Sequence, residues 1–402
     1  MGSALYAIPY AAFMTAVLII SILLFLIYAS LIIYYRQGWV SIPEFDDSRQ
    51  APELTTKISV IIPARNEEQN INACLDSMCK QSYPLPLFEV IVVNDHSTDK
   101  TPVLVDAYTG RNIKRIDLAD HVETVSNAYK KKAIEAGIGQ ATGELIITTD
   151  ADCIVPPKWL HTFASFYESY HPAFIAAPVS INCGNRFIEK FQALDFMVLQ
   201  GITGAAVHKQ MHNMCNGANL AYEKEAFEAV NGFKDIDNIA SGDDMLLMHK
   251  IYKRYPTKLL FLRSKDVIVQ TAPVHSVREF FQQRIRWASK ADKFGDRSLF
   301  PVLLIVYLFN LMMLIMPVTA IFNNAQLSIV NCQLSIFGVW LWMLILKTLI
   351  ELIFLYPVAK FFGKQNMLKI FPVMQPLHII YTIIAGWLGK FGSYEWKGRK
   401  VN

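Results

Sequence analysis

From Ile8 to Tyr35 the chain carries no charged side chain, a run longer than the ~20 apolar residues needed to cross a bilayer. Nothing else constrains the fold as tightly. An apolar segment of that length in lipid must be a helix, because no water is there to satisfy its backbone groups. Tyr6, Tyr10, Tyr34 and Tyr35 flank the run as interfacial aromatics. A cleaved signal peptide is the rival reading, but the run lacks a basic leader and exceeds the usual ~7 to 15 residue apolar core of such peptides.

Three further apolar stretches lie at the other end, at about 300–322, 334–362 and 370–388. The third contains Pro372, Pro376 and His378, which leaves spanning, re-entrant and interfacial placements open for it. The expected organisation is an anchor over 1–36, a globular domain over 55–298, and a C-terminal membrane region over 299–392 with two or three spans. The 53% hydrophobic content and mean hydropathy of +0.27 come from these two ends; the middle reads as an ordinary mixed-charge domain.

Arg36 follows the first apolar run and nothing basic precedes it, so the positive-inside rule predicts a multi-pass protein of the cell (inner) membrane with its large domain in the cytosol. The Lys360, Lys364 and Lys369 link then faces inward, whereas a third span would carry the basic tail of Lys397, Arg399 and Lys400 outside, against the rule. Within the second C-terminal stretch, Lys347 and Glu351 stand four apart on one helix face. They read either as a self-neutralising pair or as a polar point on an acceptor path.

A net charge of +4 without a basic run argues against nucleic acid as a partner. Six cysteines (Cys74, Cys79, Cys153, Cys183, Cys215 and Cys332) show neither CxxC nor metal-site spacing, which favours free thiols in a reducing compartment.

In the middle, Lys57 to Pro63 is a β-branched strand, followed by the polar Arg65 to Glu68 and a helical pattern through Ile71, Leu75 and Met78. A second strand, Phe88 to Val93, stops at the polar Asn94 to Asp99. A third unit runs from a helix over 130–138 through the strand 143–149 into Asp150 and Asp152. Strands alternating with helices predict an α/β fold with a mostly parallel, doubly wound sheet. Ligands of such sheets bind beyond the strands' carboxyl ends, so the three polar clusters should converge on one crevice. No GxGxxG or GxxxxGK[ST] accompanies them, which disfavours a dinucleotide fold or P-loop.

Asp150 and Asp152 share a face if the strand continues, and hard carboxylates at that spacing suit Mg2+ or Mn2+ on a diphosphate. The alternative is a solvated acidic turn. Asp243 and Asp244, after Ser241, open a helical pattern, so they read either as helix-terminal carboxylates or as the source of a general base for an acceptor hydroxyl. Gln283, Arg286 and Trp287 fall on an amphipathic helix before the C-terminal apolar runs; Arg286 could fork a phosphate and Trp287 could serve as a sugar platform or an interfacial anchor.

Taken in order, these elements resemble the family 2 glycosyltransferases, including membrane-bound synthases of the cellulose and hyaluronan type, over roughly Ile58 to Trp287. Ile62 to Glu67, with Pro63, Arg65 and Glu67, looks like the VPxxNE loop that borders the nucleoside. Val93 to Asp99 resembles VDDGSTD and makes Asp95 a nucleotide contact. Lys130 to Ala133 with Gly137 resembles the KxxALNxG helix, whose lysine lies near the donor. Asp150 and Asp152 match the family's DxD metal and diphosphate site, with Asp152 and Asp150 as metal ligands. Cys215 to Asn219 resembles the acceptor-side segment. Asp243 and Asp244 stand at the ED pair, which makes Asp244 the base, and Gln283, Arg286 and Trp287 fit QxxRW. Departures are Asn94, His96, Glu135 and Asp243, in place of Asp, Gly, Asn and Glu.

The resemblance implies a GT-A domain and an inverting, metal-dependent transfer from a UDP- or GDP-linked sugar to a lipid, lipid-linked or glycan acceptor. A processive polysaccharide synthase and a catalytically silent nucleotide-binding subunit of a synthase or secretion complex are the alternatives.

Overall fold

The computed structural model describes residues 4–46, 54–120, 128–211, 213–237, 239, 242–289, 298–323, 326–329, 332–391, 394–396 and 399–401. Ser241 and Lys397 lie outside them. The chain divides into two compact units: one comprises 38–274 with 294–296, and the other 1–37, 275–293 and 297–402.

In the first unit, strands β1 (Ile58–Ala64), β2 (Phe88–Asn94), β3 (Ile113–Asp117) and β4 (Leu145–Thr148) form the parallel half of a seven-stranded sheet. The short β5 (Cys153–Ile154), β6 (Phe174–Ala176), β7 (Val179–Ile181), β8 (Leu220–Glu223), β9 (Leu259–Phe261) and β10 (Val269–Thr271) follow. Strand order in the large sheet is β3-β2-β1-β4-β8-β6-β9, with β8 antiparallel to both neighbours; β5-β10-β7 make a second, three-stranded sheet. The apolar runs of β1, β2 and β4 are buried along nearly their whole length, as expected of strands covered on both faces.

Helices of this unit are α2 (Ile71–Met78), α3 (Thr101–Asp106), α4 (Tyr129–Gly139), α5 (Trp159–Tyr170), α6 (Phe187–His208), α7 (Lys224–Ala229) and α8 (Asp243–Arg254), numbered after the apolar N-terminal α1 (Ala4–Ser41). Gly137 lets α4 lie close on the sheet, since a Cβ there would stand 2.7 Å from Ile61 Cγ2 and 3.1 Å from Val93 Cγ2. The glycine of the lysine helix therefore sets how near that helix comes to β1 and β2.

The second unit contains α9 (Val277–Ala288), α10 (Leu299–Asn323), α11 (Ile336–Phe361) and α12 (Phe371–Phe391). By length and composition, 15–41, 299–320, 336–361 and 365–390 are each able to cross a membrane. The third C-terminal stretch, despite Pro376 inside α12, is thus one continuous helix of sufficient length. Lys347 is fully buried and donates to Glu351 Oε1 at 2.6 Å and to Gln375 Oε1 at 2.7 Å, while Tyr28 and Gln375 both donate to the Glu351 carboxylate. The pair is self-neutralised and also tied to α1 and α12.

Candidate active site

The loops after β1 and β2 are laced into one body. Arg65 Nη1 donates to the Asp95 carbonyl at 2.9 Å and lies 3.7 Å from Asp95 Oδ1. The amides of Asn66 and Glu67 donate to Ser97 Oγ and Thr101 Oγ1, at 3.0 and 2.8 Å. The Glu68 amide donates to Asp99 Oδ2 at 3.1 Å, and the Lys100 amide returns to Glu68 Oε2 at 3.1 Å. Burial works against the charged form of Asp99, but bonds from Thr101 and the Glu68 amide hold its carboxyl below the ordinary range.

Asp95 is buried, and its Oδ1 lies 2.9 Å from His96 Nδ1. His96 has φ +54°, a conformation its small-residue counterpart in the family motif adopts without cost. Its ring stands edge-on to Tyr129 with centroids 6.1 Å apart. The departing Asn94 donates to Asp117 Oδ1 at 2.6 Å and accepts from the Ser97 amide at 3.2 Å, so it shapes the loop from behind.

Tyr129 begins α4, and its neighbour Lys130 joins the remaining parts. Lys130 Nζ donates to Asp150 Oδ1 at 2.7 Å and lies 3.4 Å from Asp243 Oδ2. Burial alone would lower the lysine pKa, but the carboxylates of Asp150, Asp243 and Asp244 outweigh it and raise it. Gly217 sits beneath this cation: a Cβ there would come 3.2 Å from Lys130 Nζ.

The two aspartates of the DxD do not extend a strand. β4 ends at Thr148, its last partner to Leu220, and Asp150 to Cys153 form a turn closed by the Cys153 amide on the Asp150 carbonyl at 3.1 Å. The shared face expected of a continuing strand is replaced by a turn, which aspartates favour because their side chains bond nearby backbone. Asp150 is half-buried and Asp152 exposed, with Asp152 Oδ1 accepting from the Cys153 thiol at 3.5 Å.

Asp243 and Asp244 open α8 after Gly242, whose φ of +77° turns the chain into the helix without any side-chain cap. The helix-terminal role is only part of what Asp244 does: Oδ1 accepts from the Met245 amide at 2.8 Å, but Oδ2 reaches across to the Gly217 amide at 2.9 Å. Burial, with the same carboxylates nearby, pushes the thiols of Cys74, Cys153 and Cys215 up. They stay protonated and offer no nucleophile.

For a divalent cation, Asp150 and Asp152 supply hard carboxylate oxygens at an accessible turn, and no group of three or more His, Cys, Asp or Glu side chains is arranged to hold a metal among the described residues. The pair fits an ion that completes its shell with diphosphate and water oxygens, the usual habit of Mg2+.

Comparison with known proteins agrees. The family model for glycosyl transferase family 2 matches residues 59–230, and that for glycosyl transferase family group 2 matches 145–387, more than half of the chain. The chain belongs to the family 2 glycosyltransferases. It is similar to the poly(ribitol-phosphate) beta-N-acetylglucosaminyltransferase TarS of Staphylococcus aureus, 35% identical over 116 residues that cover 29% of this chain and 19% of that protein. It is also similar to the dodecaprenyl-phosphate galacturonate synthase of Rhizobium johnstonii, 32% identical over 118 residues, 29% of this chain and 34% of that one. The match thus spans between a fifth and about a third of the length of these relatives. The mannosyltransferase PcManGT of Pyrobaculum calidifontis, solved with GDP-Man and Mn2+, matches with a TM-score of 0.55 at 20% identity, covering 90% of this chain and 99% of that one. That likeness is one of fold, and the fold of this glycosyltransferase is GT-A.

Of the expected site residues, Pro63, Arg65, Glu67, Asp95, Lys130, Asp150, Asp152, Asp243 and Asp244 fall in the α/β unit of the transferase, most of them at strand ends or in the loops that continue from them. Gln283, Arg286 and Trp287 lie on α9, in the apolar unit, where α9 packs on α12 through Phe280 edge-on to Tyr381 at 5.2 Å. The buried Arg284, a variable position of QxxRW, holds two motif members: Nη1 donates to Gln283 Oε1 at 2.9 Å and the guanidinium lies 4.2 Å from the Trp287 ring centre. Arg284 and Tyr129 contribute without being marked by the motifs, while His96 and Gly217 lie inside motif segments whose pattern assigns them no contact. For Tyr129 the signal is its place beside Lys130; Arg284 occupies a variable motif slot, and the contacts of His96 and Gly217 reach across segments distant in sequence.

Proposed function

We propose that this glycosyltransferase moves a sugar from a UDP- or GDP-linked donor to a hydroxyl of a lipid, lipid-linked or glycan acceptor, with inversion, at the cytosolic face of the cell membrane. The observation that carries the reading is the Lys130 bridge: one ammonium, 2.7 Å from the DxD and 3.4 Å from the Asp243–Asp244 pair, brings the diphosphate side and the base side of the motif set to one point. A site that had lost its chemistry would have no reason to keep these charges concentrated.

In this reading Arg65 and Asp95 border the nucleoside, and Lys130 shifts part of its charge from Asp150 to the donor's phosphate oxygens as they arrive. Asp150 and Asp152 would hold Mg2+ or Mn2+, which when bound supplies neutralisation of the leaving diphosphate. Asp244, its carboxylate aimed by the amides of Gly217 and Met245, takes the proton of the acceptor hydroxyl as the oxygen attacks the anomeric carbon and the nucleotide departs. Gln283, Arg286 and Trp287 fit the QxxRW motif, which the family resemblance associates with the diphosphate and acceptor sugar. The four apolar helices and the dodecaprenyl-phosphate galacturonate that the Rhizobium relative is named for making support a lipid-linked acceptor.

The test is nucleotide release from a panel of UDP- and GDP-sugars by membranes carrying the protein, with and without Mn2+ or Mg2+ and with lipid acceptors added. Metal-dependent release that Asp244→Asn abolishes is the expected result. Nucleotide binding without release from any donor would replace this reading with that of a silent nucleotide-binding subunit.

A further inference from the structure

Lys131, beside the bridging Lys130, is 1% exposed, and its ammonium donates to the carbonyl of Ile239, just upstream of Asp243. A buried ammonium carries a large desolvation penalty, which a methionine of similar length would avoid. Its position is the first variable slot of the lysine motif, so the motif itself does not call for it.

The partner segment explains what the charge achieves. After α7 the backbone takes left-handed conformations at Asn231, Gly232 and Asp235, and again at Gly242 before α8; single-turn bonds such as Lys234 to Asn231, Ile236 to Phe233 and Ile239 to Ile236 coil it without forming a regular helix. Lysines grip it from two helices. From α8, Lys250 Nζ donates to the carbonyls of Gly232 at 2.6 Å and Lys234 at 2.7 Å. From α4, Lys131 takes Ile239. Because Lys130 and Lys131 are consecutive on one helix, α4 reaches both the carboxylates and the backbone that delivers them.

We propose that Lys131 is a positioning residue for the transfer reaction, fixing the segment before Asp243 and Asp244 so that the base stands correctly against the acceptor, without itself touching donor or acceptor. This inference rests on the transferase reading. Its ammonium-to-carbonyl bond acts on the chemical step more than on donor binding, since the nucleoside loops after β1 and β2 hold one another independently of it.

The experiment compares full-length Lys131→Met and Lys131→Arg proteins with wild type in membranes. Lys131→Met is expected to lower kcat at least tenfold, to leave the nucleoside-diphosphate Kd with Mn2+ within twofold, and to add no further loss in the Lys131→Met/Asp244→Asn double variant beyond Asp244→Asn alone. Lys131→Arg, keeping the charge, should recover part of kcat. Amide hydrogen exchange should rise over 236–246 in Lys131→Met and stay unchanged in β1 and β2. An unchanged kcat, a Kd weakened as much as kcat, or additive losses in the double variant would each overturn the proposal. If the wild type turns over no donor, the transferase reading fails, and unaltered exchange over 236–246 would separately remove the clamp.

Discussion

Each unit of this protein contains a lysine held by a carboxylate at nearly the same distance, Lys130 to Asp150 at 2.7 Å and Lys347 to Glu351 at 2.6 Å, yet the two pairs do different things. Lys130 is 24% exposed, Asp150 is 37% exposed, and a second carboxylate waits at 3.4 Å. Lys347 is fully enclosed, and its carboxylate is already shared with Tyr28 and Gln375. The first arrangement is open, and in the proposed transfer its partners are exchanged for phosphate oxygens. The second is closed, its lysine and carboxylate bonded to one another and to Tyr28 and Gln375, so it ties α1, α11 and α12 together. Ion-pair distance says little about function; what matters is whether the partners can be replaced.

The widest gap between the two should appear in turnover. Asp244→Asn is expected to reduce kcat by about 10²–10⁴-fold, whereas Lys347→Met should leave kcat of the folded fraction within a factor of about two, measured as nucleotide release per folded molecule. An equal loss in both would break the contrast between open and closed sites.

Stability should reverse the order. Lys347→Met leaves Glu351 buried without its cation and is expected to cost about 3–5 kcal/mol, while adding Glu351→Leu should recover only part of that loss, because Tyr28 and Gln375 then lose their acceptor. Thermal unfolding in detergent reads both, and a double variant as unstable as the single one would show that the network does more than neutralise itself.

A smaller effect is expected at Gly137, where a valine would press on Ile61 and Val93. Gly137→Val should cost about 1–3 kcal/mol by overpacking and should also weaken donor binding, because it lifts the helix that carries Lys130. Isothermal titration with the nucleoside diphosphate separates that loss from simple unfolding.

The smallest expected effect depends on acid. Burial would raise the Glu89 carboxyl, but bonds from Lys114, from the Thr142 amide and hydroxyl and from Ser59 bring it down to about 2. Its folded pKa is depressed, so its stabilisation is complete above the ordinary value near 4.5 and is lost as pH falls toward about 2. Glu89→Gln should cost about 1 kcal/mol at neutral pH and flatten the stability profile across that window, as followed by urea unfolding.

Much of this was legible in the residues. β1, β2 and β4 stood out because strands covered on both faces are continuous apolar runs, and their polar endings marked the loops that carry Arg65, Asp95 and Asp150. β3 escaped notice, since Lys114 and Arg115 interrupt its apolar pattern to pair with Glu89, Asp106 and Asp117. The short β6, β8 and β9 gave too little periodicity to read, and with them the antiparallel turn of the sheet after β4.

The sequence by itself determined the apolar segments, the order of strand and helix, and the identity of the charged groups, because hydrophobic length and local periodicity are properties of neighbouring residues. Only the tertiary structure decided that Lys130 joins Asp150 to Asp243, that Asp244 leans on the Gly217 amide, and that Lys347 is enclosed with Glu351 and Gln375. Each of these depends on distances between segments far apart in the chain, set by the packing of helices on the sheet or on one another, and no local pattern encodes them.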